Sequence, residues 1–319
     1  MFKIINRNIA FQWIMLFGLL AFSIYKIVTQ TQVANEQGTP FLFINFTHLF
    51  FQHEFIGKGI IIIVLLLQIL FIQYYFNKND YAVKYSLLPT CFYLSILLLS
   101  KSLTIISPFF FTLLFLLIII SIDYTVSAIK IKNNVFWTGI LIAFATCFDL
   151  SSIILLLLIM VTLIINQFSR IKEIGILLFG FFLFYFYVFS FHFFINNLNE
   201  WLLTFQQIKI MSVLNSNIDR LPFTIFSLIS LIFVYLFFMI KFKLMSETKV
   251  AIQRNRIITL NTRAFLIIAC IFLSNSGYPF VLGYLFVHIS IYLAMLAQEK
   301  NIISINELIT IITLIALWH

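Results

Sequence analysis

Long apolar runs separated by short polar breaks make up most of the chain. From Phe136 to Phe148 only Thr138, Gly139, Thr146 and Cys147 interrupt the apolar residues. Asp149-Leu150-Ser151-Ser152 breaks the run, and Ile153 to Ile165 is apolar again except for Thr162. Lys130 and Lys132 precede this pair, and Arg170 and Lys172 follow it. The pattern predicts a helical hairpin with both open ends on one side of a membrane and the Asp149 turn on the other. A spanning helix takes about 20 apolar residues, within a range of about 17–25. On that measure the unit recurs along the whole chain. Helices are predicted at Ile9–Val28, Gly57–Phe76, Tyr85–Ser100, Thr104–Ile122, Val135–Phe148, Ser151–Gln167, Ile174–Ile195, Leu221–Ile240, Thr262–Asn275, Phe280–Ala297 and Ile302–Trp318. The fold class expected is all-α, a polytopic integral membrane helix bundle of about eleven transmembrane helices. The count falls to ten if one of the short spans, around Leu97 or Ile268, does not cross. No linker divides the chain, so residues 1–319 are expected to form one membrane domain.

Charge sets the orientation. With the N-terminus cytoplasmic, the inside segments hold Lys3, Arg7, Lys78, Lys84, Lys130, Lys132, Arg170, Lys172, Lys241, Lys243, Lys249, Arg254, Arg256, Arg263 and Lys300. These are fifteen of the twenty basic residues; Lys26, Lys58, Lys101, Lys209 and Arg220 lie outside or at the outer edge. The bias follows the positive-inside rule and predicts N-in, C-out. Lys3 and Arg7 before Ile9–Val28 resemble the start of a signal peptide, but no clear small-residue cleavage site follows, so an uncleaved first helix is expected.

Composition agrees. Hydrophobic residues make up 62% and charged residues 10%, with a mean hydropathy of +1.08. A soluble domain carries about 25% charged residues, so there is too little polar surface here for a water-soluble globule. The net charge of +9 sits in short loops and forms no stripe with interleaved aromatics, so no nucleic-acid partner is expected. Cys91, Cys147 and Cys270 are far apart and suggest neither a disulfide framework nor a metal site. Glycine is scarce, at nine residues, and no G-x-x-x-G occurs, so close helix packing through small residues is not expected.

Three connections are long. The outer loops Thr29–Ile56 and Asn196–Arg220 mix polar and apolar residues as interfacial segments do. The third, Lys241–Arg263, is the main basic loop and suits anionic headgroups on the cytoplasmic side.

Ionisable groups deep in a bilayer are costly and mark functional sites. His288 is the central candidate, with Tyr284 one turn before it; the alternative is a histidine satisfied by packing. Glu307 and His192 lie near helix ends, where solvation and an aromatic belt explain them. Gln68 and Gln73 suit helix cross-linking. The outer face gathers Glu36, His48, His53, Glu54 and Lys58, with Arg220 from the second loop. A carboxylate beside a membrane cleft can serve as a general base, so Glu54, Glu36 and His53 are candidate catalytic residues. Lys58, Arg220 and His288 are candidate contacts for a substrate or lipid phosphate. Against this stands a solvated start to the second helix, where Glu54 suits the helix dipole. Walker, G-x-S-x-G and H-E-x-x-H motifs do not occur, and no metal or cofactor is expected.

The segment Phe136-Trp137-Thr138-Gly139-Ile140-Leu141-Ile142-Ala143-Phe144-Ala145-Thr146, the turn Asp149-Leu150-Ser151-Ser152 and the closing Tyr278-Pro279-Phe280 segment resemble an uncharacterised family of polytopic inner-membrane proteins from Bacteroidetes-type bacteria. The helix–turn–helix also looks like the core of multi-spanning glycosyltransferases that use polyprenyl-phosphate sugars. That resemblance implies an acidic residue of the first outer loop as the catalytic base, and only Glu36 and Glu54 match it. The paired acidic motif of that superfamily is missing, and the basic outer residues are few. Three functions stay open: a non-catalytic inner-membrane component of envelope assembly with a membrane-protein partner, a transferase acting on a polyprenyl-phosphate lipid at the outer face, and a carrier of lipid or small solute lined by His288 and Gln68.

Overall fold

The structure, a computed structural model, describes residues 9–30, 54–79, 86–99, 113, 116–118, 131–148, 153–165, 171–195, 257–264, 267 and 278–297. These residues are helical apart from short turns and helix ends, and none forms a strand. The all-α class is therefore as the apolar pattern predicted.

The described residues form the helices α1 Ile9–Gln30, α2 Glu54–Lys78, α3 Leu88–Leu99, α4 Ile131–Phe148, α5 Ile154–Ile165, α6 Ile171–Phe194 and α7 Tyr278–Ala297. A further helical segment covers residues 257–264. Each helix falls on a predicted apolar run. Pro89 and Pro279 stand in the first turns of α3 and α7, where a missing N–H costs nothing. Among the described residues three helices are long and apolar enough to cross a membrane: Ile9–Thr29, Phe55–Lys78 and Lys172–Phe194. The runs at Leu221–Ile240 and Ile302–Trp318, and most of Thr104–Ile122, lie outside the described residues.

The packing forms two groups. In the first, α3 is the hub and touches α1, α2 and α7. It is apolar all round, as a helix enclosed by others must be. Every residue from Leu88 to Ser95 is buried, which takes in all sides of the helix, and α7 is likewise buried from Phe286 to Met295. In the second group α4 packs against α6 and touches α5.

The α4–α6 contact departs from the expectation for small residues. A Cβ on Gly139 would collide with the Leu177 carbonyl oxygen and lie 3.0 Å from the Phe181 backbone nitrogen. A Cβ on Gly180 would collide with the Phe136 carbonyl oxygen. The two backbones thus touch through one glycine from each helix. A search for G-x-x-x-G misses this arrangement, because the two glycines are on different helices, although Gly139 and the buried Ala143 form the broader small-x-x-x-small pattern on α4. Phe136 against Phe179 (centroids 6.1 Å) and Phe144 against Phe184 (6.0 Å) flank the contact.

Candidate functional site

Polarity runs inside out. Phe179, Phe182, Phe186 and Phe193 on α6 are all more than 60% exposed, as are Ile14 and Phe17 on α1 and Leu70 on α2. Gln12, Ser23, Gln68, Thr90, Thr162, Asn261, Arg263, His288 and Ser290 are buried.

The buried polar groups pair between and within helices. Gln12 Oε1 accepts from the Leu87 backbone N–H at 2.8 Å, joining the start of α1 to the residue before α3. Gln73 Nε2 donates to the Ser86 carbonyl at 2.8 Å. Tyr93 donates its hydroxyl to Gln68 Oε1 at 2.8 Å, which ties α3 to α2 as a helix cross-link. Serine and threonine hydroxyls otherwise fold back on their own helix, as Ser95 does to the Cys91 carbonyl at 2.9 Å. Removing the cross-link with Gln68→Leu and Tyr93→Phe is expected to reveal a coupling of about 0.6–2 kcal/mol in a double-mutant cycle of thermal unfolding, the size typical of bonds between helices in apolar surroundings.

The most costly buried group is Arg263, which is 1% exposed. Its Nε donates to Thr162 Oγ1 of α5 and its Nη1 to the Tyr75 hydroxyl of α2, both at 3.2 Å. Thr162 in turn donates to the Leu158 carbonyl at 2.8 Å, which polarises its oxygen as an acceptor. Two residues before Arg263, Asn261 Oδ1 accepts from the Tyr292 hydroxyl of α7 at 2.7 Å. His288, one turn before Tyr292 and 1% exposed, lies within electrostatic range of the guanidinium. Its Nδ1 donates to the Tyr284 carbonyl at 2.9 Å. The cluster therefore draws side chains from α2, α5, α7 and residues 257–264.

This corrects the expectation for Arg263. It was assigned to the end of a solvated basic loop facing headgroups, but the helix begins by Ile257 and Arg263 faces protein. A signal for this exists in the chain. Ile257-Ile258-Thr259-Leu260 precedes Arg263 and Ala264-Phe265-Leu266-Ile267-Ile268 follows it, so one apolar run carries the charge.

Among the other expected site residues, His288 is buried on α7 with Tyr284 beneath it, and Gln68 is bound to Tyr93. Lys58, in the second turn of α2, donates from Nζ to the Val28 carbonyl near the end of α1 at 2.9 Å. A cation at a helix C-terminus is favourable there. Lys58→Met is expected to lower the unfolding midpoint modestly, by a loss of about 0.5–1 kcal/mol, and a midpoint shift larger than Gln68→Leu produces would contradict this. Glu54 is the first residue of α2, away from the Arg263 cluster. Glu36, His53 and Arg220 lie outside the described residues. No group of three or more His, Cys, Asp or Glu side chains that could hold a metal occurs among the described residues.

No protein-family model, curated protein or solved structure matches the chain.

Proposed function

We propose that the chain is a multi-pass protein of a bacterial inner membrane with eleven crossings and a cytoplasmic N-terminus, working as a non-catalytic component of envelope assembly. The inverted polarity of the helices carries this reading. Large aromatic and aliphatic side chains point outward while amides, hydroxyls and a guanidinium pair inside, the distribution suited to a hydrocarbon solvent. In water such exposed apolar faces would drive aggregation.

The hydrogen bonds between elements support the topology as well. If α1 runs outward, Lys58 and Val28 both stand at the outer ends of their helices. Gln12 with Leu87, Gln73 with Ser86, Arg263 with Tyr75 and Thr162, and Tyr292 with Asn261 then all pair groups toward the cytoplasmic ends. A wrong parity between any two of these helices would set the partners on opposite faces.

Reporter fusions test the topology. Alkaline phosphatase joined after Gln32 is expected to be active, and after Lys84 or Lys249 inactive. Activity at Lys249 or recovery of the chain in the soluble fraction would overturn the topology. Comparison of polyprenyl-phosphate-linked sugars in cells with and without the gene tests the non-catalytic role, and an unchanged profile is expected. A precursor that accumulates on deletion and is cleared by the wild-type chain but not by Glu54→Ala would instead make the chain a transferase. A carrier is the second reading, favoured by the gathering of Arg263, Tyr75, Thr162 and His288 between the two helix groups.

A further inference from the structure

Phe136 lies against Phe179 and Gly180, Phe144 against Phe184 and Thr146 against Tyr185, so the contacts advance together and α4 and α6 run parallel. The same register sets Lys132 beside Lys172 in the two first turns, and both lysines are exposed. The other described lysines have protein partners: Lys26 stands over the Phe22 ring, Lys58 donates to the Val28 carbonyl and Lys78 stands over the Tyr74 ring. Among the described residues Lys132 and Lys172 make no hydrogen bond, ion pair or ring contact. No exposed acid on either helix offsets them, because α4 contains no Asp or Glu and α6 contains only Glu173, which is buried. An aromatic surface lies behind the two charges. Phe136 comes four residues after Lys132 and Phe179 seven after Lys172, spacings that return to the same side of a helix with rises of about 6 Å and about 10 Å. Phe136 packs on Phe179 and edge-on to Trp137, with centroids 6.1 and 6.2 Å apart, and Trp137 and Phe179 are 54% and 62% exposed.

We propose that the first turns of α4 and α6 hold an anionic phospholipid, with Lys132 and Lys172 on its phosphate and Phe136, Trp137 and Phe179 along the upper part of its acyl chains. Helical side chains lean toward the N-terminus, which carries both ammonium groups away from the bilayer centre. Lysine stems lie along apolar surface while their charged ends stay at the polar boundary, and tryptophan favours the same boundary. Paired cations with exposed rings next to them match a headgroup joined to hydrocarbon, whereas a soluble anion would leave the rings uncovered. Bound there, the lipid bridges two helices that all of α5 separates in sequence and reinforces their contact from outside. The site rests on the membrane reading above and goes beyond the assembly role. It depends on the topology only for its leaflet, the inner one when the N-terminus is cytoplasmic.

Trp137 reports on the site directly, because bromine on an acyl chain quenches a tryptophan that it touches. The full chain with Trp13→Phe, Trp201→Phe and Trp318→Phe keeps Trp137 as its only tryptophan. It is reconstituted in phosphatidylcholine vesicles that hold brominated phosphatidylglycerol or brominated phosphatidylcholine at equal mole fraction. From the quenching, a preference of about fivefold for phosphatidylglycerol is expected, the size that a lysine near an anionic headgroup supplies. Lys132→Gln with Lys172→Gln is expected to bring the preference to about one. Lys132→Arg with Lys172→Arg keeps both charges and is expected to keep the preference. Equal quenching by the two probes in the parent chain overturns the proposal. So does a preference that survives in the double glutamine variant, which would assign it to the net charge of +9 instead. If the single-tryptophan chain does not fold, the natural chain in maltoside detergent answers by thermal unfolding. Short-chain phosphatidylglycerol is then expected to raise its midpoint more than phosphatidylcholine of equal chain length, and to lose that advantage in the double glutamine variant. Equal rises in the natural chain, or an advantage kept by the variant, overturn the proposal. The vesicles carry the probes in both leaflets, so this result and that of the reporter fusions fall separately.

Discussion

Gly139→Ala and Gly180→Ala are each expected to destabilise the chain by about 1–3 kcal/mol, and the pair together to prevent recovery of a folded, monodisperse protein. The added methyl is small, but what it meets is backbone. At Gly139 it meets the Leu177 carbonyl oxygen and at Gly180 the Phe136 carbonyl oxygen. A flexible side chain could swing aside, whereas a helix backbone moves only with the whole helix. Relief therefore means pushing α4 and α6 apart along their length and opening the flanking contacts of Phe136 with Phe179 and Phe144 with Phe184. The Thr146–Tyr185 hydroxyl bond, 2.7 Å long, would stretch with them. Gly18→Ala and Gly59→Ala supply the control, because an added Cβ at either site meets nothing within 4 Å. Those variants are expected to match the wild type within about 1 kcal/mol, since alanine suits a helix interior at least as well as glycine. Unfolding midpoints in one detergent compare all four. Equal losses at Gly18 and Gly139 would refute the backbone contact.

The second large effect concerns the acceptors of Arg263. Tyr75→Phe combined with Thr162→Val is expected to cost about 3–5 kcal/mol, because it leaves the buried guanidinium without two of its hydrogen-bond acceptors. Each change alone removes one bond and is expected to cost about 1–3 kcal/mol. The two substitutions share a partner, so their effects are not expected to add. Adding Arg263→Met to the double variant removes the charge and keeps an unbranched apolar side chain in its space. Part of the lost stability is then expected to return. A triple variant less stable than the double would show that Arg263 stabilises the chain mainly through contacts other than Tyr75 and Thr162.

The helices were legible because a hydrocarbon solvent writes a coarse signal. A run near twenty apolar residues is hard to mistake, and α1, α2, α6 and α7 begin and end within a few residues of the expected limits. Their polar interior was only partly legible. His288 and Gln68 stand out because each interrupts an apolar run, and both are buried. Arg263 carried a mixed signal, with apolar residues close on both sides but the basic loop just ahead of it. Six residues after Ile257 it still looks like the last charge of the basic loop, and only tertiary packing against α2 and α5 turns it inward. The glycine contact was hidden for a different reason. Gly139 and Gly180 lie on different helices, and the only spacing of four near them, Gly139 with Ala143 on α4, uses an alanine that a search for paired glycines passes over. Pairing between helices is a property of the fold, and a single chain without repeats does not spell it out. The Lys58 contact is of the same kind. Lys58 Nζ donates to the Val28 carbonyl near the end of α1, a partner that its place beside Glu54 in the sequence does not reveal.

The meeting of α4 with α6 also sets a timetable for synthesis. Gly139 leaves the ribosome well before Gly180, with all of α5 between them. At roughly 5–20 residues per second, the intervening chain of roughly forty residues takes about 2–8 s to make. Throughout that interval the groove at Gly139 has no α6 to fill it, and on the topology proposed above α5 returns across the bilayer before that occupant exists. On that topology lipid covers the groove first, and α6 gains its place by displacing it. Slowing translation between Ile165 and Ile171 would lengthen that exposure without changing a single contact in the finished protein.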